Sequence, residues 1–110
     1  MIELLGYIDE NGNKRFAQWL EALDATAAAK VTIALVRMSQ GNLSKAKGIG
    51  SGVFEFKIDF GPGYRIYFGK DGERLIILIG GGTKKRQSQD IAMAQECWLV
   101  YKRRKKQEIQ

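Results

Sequence analysis

At 110 residues, with 45% hydrophobic and 27% charged side chains, the chain has the size and balance of one folded domain with a single core. Histidine is absent and Cys97 is the lone cysteine. That excludes histidine acid–base catalysis, His-ligated or thiolate-cluster zinc and an internal disulfide, and it fits a reducing cytoplasm. The net charge of +6 is lopsided: Lys84 to Lys106 holds eight basic residues against Asp90 and Glu96, which equals the whole excess and points to nucleic acid or an acidic partner.

No apolar run approaches the ~18 residues of a membrane span. Met1 to Tyr7 has no basic stretch ahead of an apolar one, so no secretory signal is expected. One domain over 1–110 is expected, with a basic tail over about 102–110. It shows no internal repeat or linker.

Met1 to Ile8 reads as a short strand closed by Asp9-Glu10-Asn11-Gly12. Asn11 or Asn13 is placed to cap a helix in which Phe16, Trp19, Leu20 and Leu23 recur at helical spacing. Asp24 is placed to cap a second helix, striped by Ala27, Val31, Ala34, Leu35 and Met38 and stopped by Gly41. Asn42 to Gly52 reads as a flexible, glycine-rich connection carrying Lys45 and Lys47.

The run Val53 to Phe68 sorts its own residues with period two. Phe54, Phe56, Ile58 and Phe60 take one side of a strand; Glu55, Lys57 and Asp59 take the other. Gly61-Pro62-Gly63 breaks it. In the next strand Tyr64, Ile66 and Phe68 share a face opposite Arg65 and Tyr67. The spacing predicts a hairpin with helices on its apolar face and an open face where Glu55, Lys57 and Arg65 gather. Lys70-Asp71-Gly72 is a further hairpin signal. Leu75 to Ile79 reads as a central strand covered on both faces and released by Gly80-Gly81-Gly82. Thr83 or Ser88 is placed to cap a last helix through Ile91, Ala94, Cys97 or Trp98, and Tyr101. Strand, two helices, three strands and a helix together predict an α+β fold on one antiparallel sheet.

The pattern Gly52 to Asp59, then Gly61-Pro62-Gly63-Tyr64-Arg65-Ile66-Tyr67-Phe68, then Gly80 to Thr83 with Lys84-Lys85, resembles the RelE/ParE superfamily of bacterial toxins. The likeness is to its HigB-like, phage-derived Gp49-like branch of addiction module killer proteins, and it covers roughly Ile2 to Trp98. It implies a RelE-like fold and a type II toxin: a ribosome-dependent mRNA endonuclease that needs no metal or cofactor and arrests translation. The ribose 2′-OH attacks the adjacent phosphorus, leaving a 2′,3′-cyclic phosphate and a 5′-OH. The implied partners are mRNA, the ribosome and a cognate antitoxin, often a helix-turn-helix protein encoded next door. Two alternatives share the fold: a non-catalytic ParE-like toxin that inhibits DNA gyrase, and an inactive homologue that only binds its antitoxin.

The transition state of such cleavage spreads negative charge over phosphate oxygens and calls for fixed cations, a base and an acid. Arg65 matches phosphate geometry and is always charged; its structural alternative is an ion pair with Glu55 or Asp59. Lys57 stands where the resembling proteins carry Arg or Lys. Glu55 is a candidate base, or an ion pair that orients the cations. The resemblance makes Lys84 and Lys85 contacts to the scissile phosphate or proton donors to the leaving group. Lys45, Lys47 and Arg86 are candidate RNA contacts. Tyr67 is placed either to stack on a base or to pack under the last helix. Gly80 to Lys85 lacks the spacing of a phosphate-binding loop.

Overall fold

The computed structural model describes residues 1–109. In chain order it contains β1 (Glu3–Gly6), α1 (Arg15–Glu21), α2 (Ala25–Ser39), β2 (Ala46–Gly48), β3 (Val53–Ile58), β4 (Tyr64–Lys70), β5 (Leu75–Thr83), a 3₁₀ turn (Lys84–Arg86) and α3 (Gln87–Ile109). The architecture is α+β, as expected for a RelE-like fold. One five-stranded sheet has the order β1-β5-β4-β3-β2. No helix among the described residues is long and apolar enough to cross a membrane.

The sheet is mixed where a purely antiparallel one was expected. β1 runs parallel to β5, from Glu3 opposite Leu75 to Gly6 opposite Leu78. A parallel neighbour needs a long crossover, and α1 and α2 supply it by carrying the chain to the far edge. The connection over 42–52 also holds more structure than its composition suggests. Ala46–Gly48 adds an edge strand to β3, so Lys47 stands opposite Glu55.

The α1/α2 layer covers one face, as the stripes predict. Ala27, Val31, Ala34 and Met38 pack on Phe56, Ile58, Ile66, Phe68, Ile76 and Leu78. Truncating one of these large side chains would cost ~2–5 kcal/mol. The carboxylate of Asp24 caps α2, accepting from the Ala27 amide at 2.8 Å. Gly41, at φ +85°, ends that helix in the left-handed region. Neither asparagine caps α1. Asp9 instead accepts from the amides of Asn11 and Asn13 and folds the turn before it.

The second face differs most from expectation. α3 lies across it, packing Ala94, Cys97 and Trp98 on Val53, Tyr67, Ile77 and Ile79. The close approach rests on Gly69, where a Cβ would stand 2.5 Å from the Trp98 ring. Gly80-Gly81-Gly82 do not release β5 but continue it to Thr83. A Cβ on Gly81 would collide with the Trp19 ring, and one on Gly82 with the Asp90 carboxylate. Thr83 precedes the 3₁₀ turn without a side-chain cap bond.

The basic tail is helical through Ile109; Gln110 lies outside the described residues. Arg104 donates to the Ile8 carbonyl at 2.7 Å and Lys105 to Asp71 at 2.7 Å, so these two cations dock the helix on the body. Lys102, Arg103 and Lys106 stay exposed.

Candidate active site

Hairpin register sets the site. Lys57 of β3 stands opposite Arg65 of β4, and Arg65 stands opposite Gly82 of β5. Two residue pairs along, on the same face, Glu55 stands opposite Tyr67 and beside Lys47 of β2. All of these side chains except the glycine's rise from the face that α3 partly covers.

The face is therefore not the open platform expected from alternation. Glu55 is 1% exposed and Arg65 is 4% exposed. The Arg65 Nε lies 3.6 Å from Glu55 Oε1, and Lys47 Nζ approaches the same oxygen at 3.9 Å. Gln87, in the first turn of α3, donates to Glu55 Oε2 at 2.8 Å. Arg65 Nη1 donates to the Gly63 carbonyl at 2.6 Å. Gly63 reaches this geometry with φ +79°. Both Glu55 oxygens are thus engaged, and the residue orients Arg65 from behind.

In front of Arg65 the surface opens. A shallow depression of about 380 Å³ is lined by Lys57, Asp59, Phe60, the Gly61-Pro62-Gly63 turn, Arg65 and Lys84. The Lys84 amide donates to the Pro62 carbonyl at 3.3 Å, fixing the start of the 3₁₀ turn at this rim. Lys57 Nζ lies 3.4 Å from Asp59 Oδ1, with both side chains more than half exposed. Cations from three segments therefore meet around one hollow, and Arg65 is its braced member.

The other sequence-predicted residues lie elsewhere. Lys85 and Arg86 are exposed on the 3₁₀ turn but do not line the hollow. Lys47 points toward Glu55 from the edge strand, and Lys45 lines a separate groove against α2. Tyr67 is buried beneath α3 at 1% exposure, so its packing alternative holds and no ring face is free for a base. Burial, with Glu55 and then Asp90 adding to it, pushes its hydroxyl well above the usual tyrosine range. Cys97 is buried and its thiol is pushed up by burial, which makes it a poor nucleophile.

Three groups at or near the site were not singled out by sequence reasoning as site residues. Asp59 is the carboxylate that lines the hollow. Gln87 holds Glu55 from a segment 32 residues away. Asp90 packs its carboxyl on Gly82, where burial raises it above the ordinary aspartate range and Arg86 partly offsets that. Alternation in β3 already places Asp59 on the side of Glu55 and Lys57. No local signal marks the other two.

Residues 18–98 match the family described as "Phage derived protein Gp49-like (DUF891)". The chain belongs to this family. It is an addiction-module toxin family related to RelE. The chain is also similar to an uncharacterized protein of Haemophilus influenzae (strain ATCC 51907 / DSM 11121 / KW20 / Rd), with 39% identity over 80 residues. That alignment covers 72% of this chain and 81% of the relative. The family match over residues 18–98 contains the hollow, its bracing residues and the Ala94, Cys97 and Trp98 contacts of α3.

Proposed function

We propose that this Gp49-like chain is the toxin of a type II toxin–antitoxin module, of the HigB-like branch, and that it cuts ribosome-bound mRNA without a metal. One observation carries the reading: Lys57, Arg65 and Lys84 line a single open hollow, with Arg65 held from behind by Glu55. A braced guanidinium needs little reorganisation to meet developing phosphate charge, which is where electrostatic catalysis is largest.

In this reading the scissile phosphate sits over Arg65, with Lys57 and Lys84 on either rim. The 2′-oxygen bonds to phosphorus as the bond to the 5′-oxygen breaks, giving a 2′,3′-cyclic phosphate and a 5′-OH. Asp59 takes the proton from the 2′-OH, and Lys84 gives one to the departing oxygen. Glu55 is an orienting residue rather than the base, because both its oxygens are already engaged. Exposed Lys45, Lys85 and Arg86 contribute longer-range attraction to RNA phosphates. The partner antitoxin presents an acidic or apolar helical surface, and the complex works in the cytoplasm.

The test is a cell-free translation reaction with purified protein, followed by mapping of mRNA ends. The reading expects a fall in protein synthesis together with new 3′ ends bearing cyclic phosphate. Intact mRNA alongside a DNA-damage response in expressing cells would replace it with the gyrase alternative.

A further inference from the structure

The sheet leaves part of one edge unpaired. β1 accompanies β5 only as far as Leu78, whereas β5 continues to Thr83. Among the described residues no strand lies on that edge beyond Leu78. A cleft of about 350 Å³ lies there, walled by Arg15, Gln18 and Trp19 of α1 and by Asp90, Met93 and Cys97 of α3. That is within the ~300–1,000 Å³ range of ordinary small-ligand sites. A Cβ on Gly80 would meet nothing within 4 Å, so the floor beside it is free.

Two buried polar atoms on the cleft lining make no close hydrogen bond: Asp90 Oδ2, and the Tyr67 hydroxyl, which has the Glu55 carboxylate as an acidic neighbour. Buried polar atoms are nearly always paired, so each of these needs an explanation. Among the described residues no nearby cation is within ion-pair distance of Asp90, although exposed Arg86 partly offsets its burial. Arg15 Nε lies 3.4 Å from Asp9, and Arg65 faces Glu55. A carboxylate only accepts, and a phenol both accepts and donates. The missing group is therefore rich in N–H donors and preferably positive.

We propose that the cleft between α1 and α3 binds a compact guanidinium-class cation, with Asp90 accepting its N–H donors and the Tyr67 hydroxyl completing the contact. A guanidinium carries five donors in a flat fork, enough to pair with a carboxylate and still reach the phenol. Trp19 adds an aromatic wall to the same space. The cation arrives either as a free small molecule or as an arginine side chain on an extended segment. A segment would gain more, because the edge of β5 offers backbone groups for pairing. None of this depends on RNA cleavage.

The experiment titrates the ¹⁵N-labelled full chain with agmatine and, separately, with the blocked tripeptide acetyl-Val-Arg-Val-amide. The proposal expects shifts centred on the Trp19 indole N–H, Gly80, Gly81 and Asp90. Asp90→Asn should weaken agmatine by about tenfold or more while remaining folded, since it removes an unpaired buried charge. Gly80→Leu should block the cleft without touching Asp90. Tighter tripeptide binding with slowed exchange at Gly80 to Gly82 would assign the cation to a polypeptide, and equal binding would assign it to a small molecule. Absence of shifts with either probe at millimolar concentration, or agmatine binding unchanged in both variants, would overturn the proposal.

Discussion

Gln87 and Glu55, 32 residues apart, share a 2.8 Å hydrogen bond that ties the first turn of α3 to the carboxylate behind Arg65. The guanidinium is thereby positioned from three directions: Glu55 at its Nε side, the Gly63 carbonyl at Nη1, and α3 behind Glu55. Removing Gln87 should therefore reach the reaction without touching RNA. Gln87→Ala leaves Glu55 Oε2 short of a donor and should cost ~1–3 kcal/mol of stability, read by urea denaturation. Its single-turnover cleavage rate should fall, and Gln87→Glu should be no better, because it sets a second carboxylate against the first.

Arg65 should separate charge from geometry. Arg65→Lys keeps a positive charge but loses the fork and its reach to Gly63, and cleavage should drop ~100-fold or more. Arg65→Ala also strands buried Glu55, costing ~3–5 kcal/mol, so its loss of activity must be read beside a melting curve.

Two glycines should respond oppositely to the same added methyl. Gly69→Ala drives a Cβ to 2.5 Å from the Trp98 ring and should destabilise by ~1–3 kcal/mol. Gly80→Ala meets nothing within 4 Å and should be close to neutral. Thermal melts of the pair check whether α3 is seated on the sheet as described.

Docking of the basic helix end should depend on acid. Lys105 and then Tyr101 hold the Asp71 carboxyl below the ordinary aspartate range through hydrogen bonds. A lowered folded-state value means the stabilisation is present above the unfolded aspartate value, ~3.9, and is lost as pH falls through the folded one. Asp71→Asn should flatten that acid limb of the stability curve by lowering stability at neutral pH, modestly because the Lys105 contact is partly exposed, while leaving stability in strong acid little changed.

Much of this arrangement is written locally in the chain. Period two in Val53 to Phe68 places Lys57 and Arg65 on one face, and the short Gly-Pro-Gly turn brings them opposite each other. Helical spacing likewise identifies Ala27, Val31, Ala34 and Met38 as core. What escapes such reading depends on distant segments. Gly81 and Gly82 look like strand breakers until Trp19 and Asp90 are seen resting on them. The Glu55–Arg65 face looks open because nothing in the hairpin announces that Trp98 and Gln87 will cover it. The parallel pairing of β1 also follows from where the helices deliver the chain, not from the residues of β1.

The most direct test compares single-turnover cleavage of ribosome-bound mRNA by Lys57→Ala, Arg65→Lys and Lys84→Ala with cleavage by Lys45→Ala and Lys85→Ala. The hollow lined by the first three predicts losses of ~100-fold or more for each of them, with the last two within a few-fold of the parent protein. Equal losses across all five, or full activity in the lining variants, would contradict it.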